Sequence, residues 1–136
     1  MDWKLEVVVV PVSDVERSKR FYADQVGFGV DVDHRPAETV RIVQLTPPGS
    51  ACSITIGNGL GGSPGSVKGL QLVVSDVEAA RAELAERGVD VTPVRHMGEY
   101  GWQDGGGGDW NSFVFFDDPD GNSWAIQQKP AEVVPS

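Results

Sequence analysis

The chain has 136 residues, of which 40% are hydrophobic and 23% are charged, and its formal net charge is −9. This composition is typical of a soluble globular domain. The acidic balance argues against a nucleic-acid-binding surface, which needs clustered basic residues. The first apolar run, residues 7–12, is far shorter than the roughly 20 residues that span a bilayer, so we expect no membrane partner.

The N-terminal segment and the cysteine content both indicate a cytoplasmic protein. The opening residues, MDWKLEVVVV, lack the basic segment and the cleavage site of an export signal. Cys52 is the single cysteine, so no internal disulfide can form. A reducing compartment agrees with that content.

The pentapeptide VSDVE occurs at residues 12–16 and again at 74–78. When the chain is aligned on this repeat, the apolar runs 7–12 and 69–74 coincide, and both are typical of short strands. In each copy, Ser-Asp-Val-Glu predicts a capping box in which Ser13 or Ser75 is the N-cap of a helix.

A helix is predicted after each capping box. The first runs to about Gln25 and the second to about Arg87, each with apolar residues at helical spacing. Gly27 and Gly88 follow at the positions where a helix C-terminus favours a residue with positive φ.

Three more strands are predicted after each helix, so the fold class is α+β with two tandem βαβββ modules. The turns TPPGS (46–50) and DDPDGN (117–122) each lead into the last strand of a module. One domain, residues 1–136, is expected to comprise module 1 at about 4–58, a linker at about 59–66, module 2 at about 67–129 and a C-terminal tail at 130–136. The predicted later strands are about 29–34, 39–46 and 51–57 in module 1 and about 89–97, 112–117 and 122–129 in module 2.

The paired modules, the sequence RSxxFY (Arg17, Ser18, Phe21 and Tyr22) and the closing DPDGN (118–122) resemble the vicinal oxygen chelate superfamily. This is the group of glyoxalases, bleomycin-resistance proteins and extradiol dioxygenases. The resemblance covers roughly residues 5–129. It implies a curled, cup-like mixed sheet with the helices outside, while many chemistries share the fold.

Metal-dependent members of this superfamily place ligands, often two His and two Glu, on the first and last strand of each module. The corresponding positions here are Val7, Ser53, Gly69 and Ala125. None of them offers a side chain that divalent metals prefer. The sequence therefore predicts no metal and no cofactor. A displaced metal site is the alternative, and its donors would be His34, His96, Glu99, Asp104 or Asp109.

Strand alternation predicts which side chains face the cup and which face the helices. Trp124 is predicted to pack beneath the helices. The cup is predicted to be mostly apolar with a few neutral polar groups, as small-molecule sites are. Its predicted lining residues are Val7, Val9, Ser53, Thr55, Gln71, Ala125 and Gln127.

The loop at 98–112, GEYGWQDGGGGDWNS, carries Tyr100, Trp102 and Trp110 on a segment that we predict to be irregular because it is rich in glycine. One hypothesis is an aromatic flap whose Trp102 and Trp110 contact a planar or apolar ligand. The other is that these rings pack against a neighbouring module or against the partner in a homodimer.

Three functions are consistent with this pattern. The favoured one is a metal-free protein of the bleomycin-resistance type that sequesters a small apolar or planar molecule in the cup. An enzyme of the same superfamily is the second, a lyase, isomerase or dioxygenase with displaced metal ligands or a metal-free acid and base such as His34 or His96. A non-catalytic protein-interaction module is the third. The catalytic residues, if any, stay unassigned.

Overall fold

In the computed structural model, which describes residues 1–131, the internal repeat folds into two units. The first unit comprises Met1–Lys68 together with Asp118–Asn122. The second comprises Gly69–Asp117 and the chain from Ser123 onward. Of the predicted tail at 130–136, residues 132–136 lie outside the described residues.

The first unit contains a four-stranded mixed sheet and one helix. The strand order is β1-β4-β3-β2, with β1 parallel to β4 and the other neighbours antiparallel. Helix α1 continues without a break into a π-helical segment. The elements are β1 Val7–Val9, α1 Val15–Arg20, the π-helix Phe21–Val26, β2 Gly29–Ala37, β3 Val40–Thr46 and β4 Ser53–Gly57.

The second unit repeats this plan with one additional strand. Its strand order is β5-β9-β8-β6-β7, and β5 is parallel to β9. The α+β class and the two modules are therefore confirmed. The elements are β5 Leu70–Val74, α2 Val77–Glu86, β6 Arg95–Gly98, β7 Gly101–Asp104, β8 Phe113–Asp117 and β9 Ser123–Gln128.

The N-caps of both helices differ from the prediction by one residue. Asp14 and Asp76 are the N-caps, and their carboxylates accept the amides of Arg17 and Ala79 at 3.1 Å. Ser13 and Ser75 therefore precede the caps. A carboxylate is as good a cap as a hydroxyl and it also interacts favourably with the helix dipole.

The helix ends agree with the prediction. Gly27 and Gly88 have φ of 95° and 84°, in the left-handed region that favours glycine. The amides of Gly27 and Phe28 both donate to the carbonyl of Tyr22, at 3.0 and 2.8 Å. These bonds satisfy the end of the helix and turn the chain into β2.

Each sheet buries one face against its own helix. In the first unit the buried residues include Val43, Leu45, Ile54 and Ile56 from the strands and Phe21 and Tyr22 from the helix. In the second, Trp124 is 3% exposed and stacks on Phe116 with ring centroids 5.9 Å apart, which confirms its predicted core position. Because strand side chains alternate, the other face of each sheet points away from the helix.

An ion-pair network lies on the helix side of the first sheet. Arg41 donates to Asp33 at 2.8 Å and to Glu16 at 2.5 Å, and Lys19 donates to Asp33 at 2.7 Å. The hydrogen bonds from Arg41 and then Lys19 hold the pKa of Asp33 far below its usual range. Arg41 also lowers the pKa of Glu16. The network ties β2 and β3 to α1, and it needs ionised carboxylates.

The turn at 118–122 belongs to the first unit, and the buried carboxylate of Asp118 is its centre. One oxygen accepts the Tyr22 hydroxyl at 2.7 Å and the Asn122 amide Nδ2 at 2.8 Å. The other accepts the backbone amides of Asp120 and Asn122, both at 2.9 Å. Asn122 Nδ2 also donates to the carbonyl of Pro11 at 2.8 Å. The turn is thus hydrogen-bonded to the segment that follows β1 and to the π-helix.

The same turn also contacts the start of α1. Ser13 Oγ donates to Asp120 at 2.5 Å, and Arg17 lies 3.2 Å from the same carboxylate. The two motifs RSxxFY and DPDGN are therefore in direct contact, through Arg17 with Asp120 and Tyr22 with Asp118.

Among residues 1–131, no helix is long and apolar enough to cross a membrane.

Candidate ligand-binding faces

The open face of the first sheet brings four predicted lining residues together. In the register of β1 and β4, Val7 lies opposite Ser53 and Val9 opposite Thr55. Val7 and Val9 are 41% and 42% exposed, whereas Ile54, which points to the other face, is 5% exposed. The register therefore places these four residues on one side of the two strands, where Ser53 itself is only 5% exposed.

Ser53 is already engaged within this face. Thr46 Oγ1 donates to the carboxylate of Asp31 and lies 2.6 Å from Ser53 Oγ. Because Asp31 can only accept when ionised, the Ser53 hydroxyl donates to Thr46. Asp31 lies at a bulge between Val30 and Val32. Sequence reasoning missed Asp31, because a bulge shifts the strand alternation and leaves no local signal.

The side chains at the four superfamily ligand positions do not fit a metal ion. Val7 and Ser53 face each other on β1 and β4. In the second unit, Gly69 has no side chain and Ala125 has a methyl group. Among residues 1–131, no group of three or more His, Cys, Asp or Glu is placed to hold a metal ion.

The alternative donors are spread over different parts of the fold. His34 lies on β2 opposite Ile42 in the first unit. His96 lies on β6, and its Nδ1 is 2.9 Å from the carbonyl of Gly105. Glu99 is in the β6–β7 turn, Asp104 ends β7 and Asp109 is in the following loop. They form no donor cluster of three within 1–131.

The open face of the second sheet carries the remaining predicted residues in two rows. One row is Gln71, Ala125 and Phe115, and the next is Val73, Gln127 and Phe113, each read across β5, β9 and β8. The intervening residues Trp124, Ile126 and Val114 are buried on the helix side. Gln71, Ala125 and Gln127 therefore share one face.

An aromatic cluster forms one wall of this face. The Trp102 ring packs edge-on against Phe113 and Phe115, with centroids 5.2 and 5.0 Å away. The two phenyl rings are nearly parallel to each other, 6.1 Å apart. Trp102 is 47% exposed, and Met97, its register partner on β6, is 49% exposed. Phe113 and Phe115 were not predicted as site residues, although alternation on β8 places them opposite Gln127 and Ala125.

The prediction that segment 98–112 is irregular is partly wrong. Gly101–Asp104 is strand β7 and pairs with β6 in a tight hairpin. Trp102 is therefore held on a strand instead of a flap, because the backbone pairing, which the glycines permit, fixes its orientation. Tyr100 lies in the hairpin turn and is 90% exposed, away from the cluster.

Trp110 follows β7 in the remaining loop and is fixed through its backbone. It has a φ of 61°, and no other non-glycine residue within 1–131 has a positive φ. Its carbonyl accepts a hydrogen bond from Gln127 Nε2 at 2.7 Å. Trp110 as a whole residue is 51% exposed. Bulky residues rarely adopt this conformation, and such strain is commonest at functional sites.

A groove of about 560 Å³ runs beside β8, lined by residues 90–93 and 115–117. Thr92 occupies the strand edge there, since its amide donates to the carbonyl of Phe115 and its hydroxyl accepts the Phe115 amide, both at 3.0 Å. The strand edge in this groove is thus paired. The better candidate site is the aromatic face, by which we mean the open face of the second sheet with its cluster of Trp102, Phe113 and Phe115.

Comparison with known proteins finds a matching family model and similar solved structures. The family model described as Glyoxalase/Bleomycin resistance protein/Dioxygenase superfamily matches residues 4–126. No curated protein sequence matches the chain. The crystal structure of TnmS3, an antibiotic binding protein from Streptomyces sp. CB03234, is similar with a TM-score of 0.75 and 34% identity, over 95% of this chain and 98% of that one.

Two further solved structures show the same likeness. A glyoxalase/bleomycin resistance protein from Streptomyces sp. CB03234 has 36% identity and a TM-score of 0.70, over 90% of this chain and 97% of its own. A member of the same superfamily from Sphaerobacter thermophilus DSM 20745 has 27% identity and a TM-score of 0.73, over 94% and 98%.

Proposed function

This chain belongs to the Glyoxalase/Bleomycin resistance protein/Dioxygenase superfamily, and from this premise we propose that it binds a small planar or apolar molecule without a metal ion. The proposed role is sequestration or resistance in the cytoplasm, without turnover. The observation that carries the proposal is the aromatic face of the second sheet, which is formed by the exposed Trp102 and the half-buried Phe113 and Phe115.

The physical support is that the exposed ring of Trp102 is already held in place. Apolar surface of this kind costs free energy in water, at about 25 cal/mol per Å². Trp102 is kept on its strand by β6 pairing and by two edge-on ring contacts. A ligand that stacks here therefore does not have to order the tryptophan first, which favours binding. The structurally similar TnmS3 is an antibiotic binding protein, which supports the same class of function.

The metal-free part of the proposal is supported by the donor chemistry. Valine, serine, glycine and alanine stand at the four positions where the superfamily binds its metal. Ser53 offers a neutral hydroxyl that already donates to Thr46. Lewis-acid chemistry of the usual superfamily kind needs ligands such as imidazole or carboxylate at these positions.

The expected result for the wild-type protein is stoichiometric binding of 6-methoxyquinoline, a flat two-ring probe, measured by isothermal titration calorimetry. A ligand of this size on an open face should have a Kd on the order of 0.1 to 1 mM. Trp102→Ala should weaken binding at least fivefold, because it removes the exposed wall of the cluster. Ala125→Leu should do the same by filling the face while leaving the tryptophan in place.

Tyr100→Ala is the matched control, since it removes an exposed ring from the same hairpin outside the face, and it should keep the wild-type Kd. Added chelator should also leave the Kd unchanged. Native mass spectrometry that finds one divalent metal per chain would overturn the metal-free proposal. Equal binding by the wild type, Trp102→Ala and Ala125→Leu would remove the aromatic face as the site.

We also propose that two copies of the chain pair through the outer edge of β1, with the arm formed by residues 1–9. Within residues 1–131, β1 pairs with β4 alone. Trp3 and Leu5 lie on the same side as Val7 if the strand continues towards the N-terminus, and they are 87% and 73% exposed. Such an apolar edge is a ready template for pairing with another chain.

The charges of the arm favour antiparallel pairing of two copies with the pairing centred on Leu5. In an antiparallel pairing centred on Leu5, Lys4 lies opposite Glu6 of the partner subunit, and Trp3 lies opposite the partner's Val7. Centring the pairing on Lys4 or on Glu6 would instead oppose like charges, which is unfavourable. The Leu5 register also places apolar residues opposite one another along the whole exposed stripe.

The double variant Trp3→Ser/Leu5→Ser should convert a dimer to a monomer at tens of micromolar chain, as measured by sedimentation velocity. Val30→Ser, which changes an exposed valine at the opposite edge of the same sheet, should stay dimeric. A wild-type protein that is monomeric at this concentration, or a double variant that stays dimeric, would contradict the pairing.

A further inference from the structure

We propose that Gln71 gives the aromatic face its ligand preference, selecting planar molecules that carry a neutral hydrogen-bond donor, such as a phenolic hydroxyl, on one edge. The inference rests on the proposed function, because it names the ligand class for the same face. It follows from a chain of three polar groups that ends on this face.

The first step is the orientation of the Gln127 amide. Its Nε2 is 2.7 Å from the carbonyl oxygen of Trp110. A backbone carbonyl can only accept a hydrogen bond, so the group facing it must be the NH₂ and the oxygen Oε1 must face the other way. The reverse orientation would place two oxygens against each other. The Trp110 carbonyl therefore determines which way Gln127 points.

The second step passes this orientation on to Gln71. Gln127 Oε1 accepts from Gln71 Nε2 at 2.7 Å. Since Gln71 must use its NH₂ for this bond, its own oxygen Oε1 is left as an acceptor at the end of this series of hydrogen bonds. Gln71 is exposed on the open face, so a ligand can reach this oxygen.

The third step is that the Trp110 carbonyl, where this series of hydrogen bonds begins, is held in a fixed position. Trp110 is held in the left-handed region, with φ of 61°. The neighbouring loop is closed by the Asn111 amide, which donates to the carbonyl of Gly108 at 3.1 Å, and by the Gly107 amide, which donates to the carbonyl of Asn111 at 3.0 Å. A strained residue persists only when its surroundings hold it. The carbonyl is thus a fixed reference for both glutamine amides.

The register determines which ligands can use this acceptor and the rings together. Gln71, Ala125 and Phe115 lie in one row across three adjacent strands. With strands about 4.8 Å apart, the backbones at Gln71 and Phe115 are about 10 Å apart. Ala125 lies between them, is 9% exposed and contributes only a methyl group to the face. A molecule of two or three fused rings can therefore contact the ring of Phe115 while one of its edges reaches Gln71.

The chemistry of the free oxygen defines the ligand class. Gln71 Oε1 is neutral and accepts, so a hydroxyl or N–H on the ligand edge is favoured. An ether at the same place would bring a second acceptor towards it. Because the site is open to water, the gain from one neutral hydrogen bond is modest, about three- to tenfold in Kd.

The test compares 6-hydroxyquinoline with 6-methoxyquinoline, which share the ring system and differ in the donor. Calorimetric titration of the wild type should show three- to tenfold tighter binding of the hydroxyl compound. Gln71→Met, of similar size and without the acceptor, should bring the two Kd values within twofold of each other. Gln103→Met, on the opposite face of the same unit, is the control and should keep the preference.

The outcomes separate this inference from the function on which it rests. If the wild type binds both compounds equally, the donor preference is overturned while ligand binding on the aromatic face stands. If the preference survives in Gln71→Met, the donor is recognised by another group and the inference is again overturned. If neither compound binds the wild type, the proposed function is contradicted first, and the assignment to Gln71 is overturned with it.

Discussion

Replacing Asp118 with asparagine is expected to lower the free energy of unfolding by about 3 kcal/mol, because four donors converge on this buried carboxylate. Each oxygen accepts two hydrogen bonds, and the donors are Tyr22 Oη, Asn122 Nδ2 and the amides of Asp120 and Asn122. An asparagine amide must present an NH₂ to one of these donor pairs. That leaves buried donors unpaired and places N–H groups against each other.

Thermal and urea unfolding would measure this effect, with a fall in Tm of about 10 °C for a domain of this size. Asp117→Asn is the matched control. It makes the same chemical change at the neighbouring residue, whose side chain is exposed, and it should alter the stability by less than about 0.5 kcal/mol. Equal stabilities of the two variants would show that the Asp118 network does not hold the turn.

Gly65→Ala is the second substitution with a large expected effect, a loss of about 3 kcal/mol or more. A Cβ at this position would overlap the backbone carbonyl oxygen of Asp120, and the carbonyl carbon would lie 3.2 Å away. The φ of 81° adds strain for any side chain. A backbone carbonyl cannot move aside as a side chain can, so the turn and the linker must separate.

Gly61→Ala separates these two contributions. Gly61 has nearly the same φ, 82°, but no atom lies within 4 Å of a Cβ added there. This control should lose only the strain cost, about 1 kcal/mol. The quantity to compare is the difference in unfolding free energy between the two variants, from urea titration. Similar losses in both would mean that the linker does not rest on the turn.

The contact made by Ser13 changes the interpretation of the repeated VSDVE. The sequence indicates that each copy starts a helix, and both helices do start there. The role of Ser13, however, is not the predicted cap, because its hydroxyl donates to Asp120, a residue that is distant in the chain. Hydrogen bonds between distant residues leave no local pattern, so a capping box and this contact look alike in the sequence.

Local patterns determined the elements of the fold. Alternating and helical periodicities placed both helices and most of the strands, and the aligned repeat revealed two modules. Strand alternation also predicted that Val7 and Ser53 face the same side, and that Trp124 lies in the core, because side-chain direction in a strand depends only on the parity of the position. The resemblance carried by RSxxFY and DPDGN identified the superfamily, and in the structure these two motifs contact each other, through Arg17 with Asp120 and Tyr22 with Asp118.

Features that depend on register or on distant partners were decided only by the tertiary structure. The glycine-rich segment 98–112 was predicted to be irregular, yet β7 forms because Gly101–Asp104 finds a pairing edge on β6. Asp31 joins the first open face because a bulge shifts the alternation in β2. The acceptor on Gln71 depends on two hydrogen bonds that link residues 71, 127 and 110. The sequence by itself determined which residues the two sheets present, whereas the folded chain decided how their polar groups are oriented, because a hydrogen bond depends on distance and direction in space.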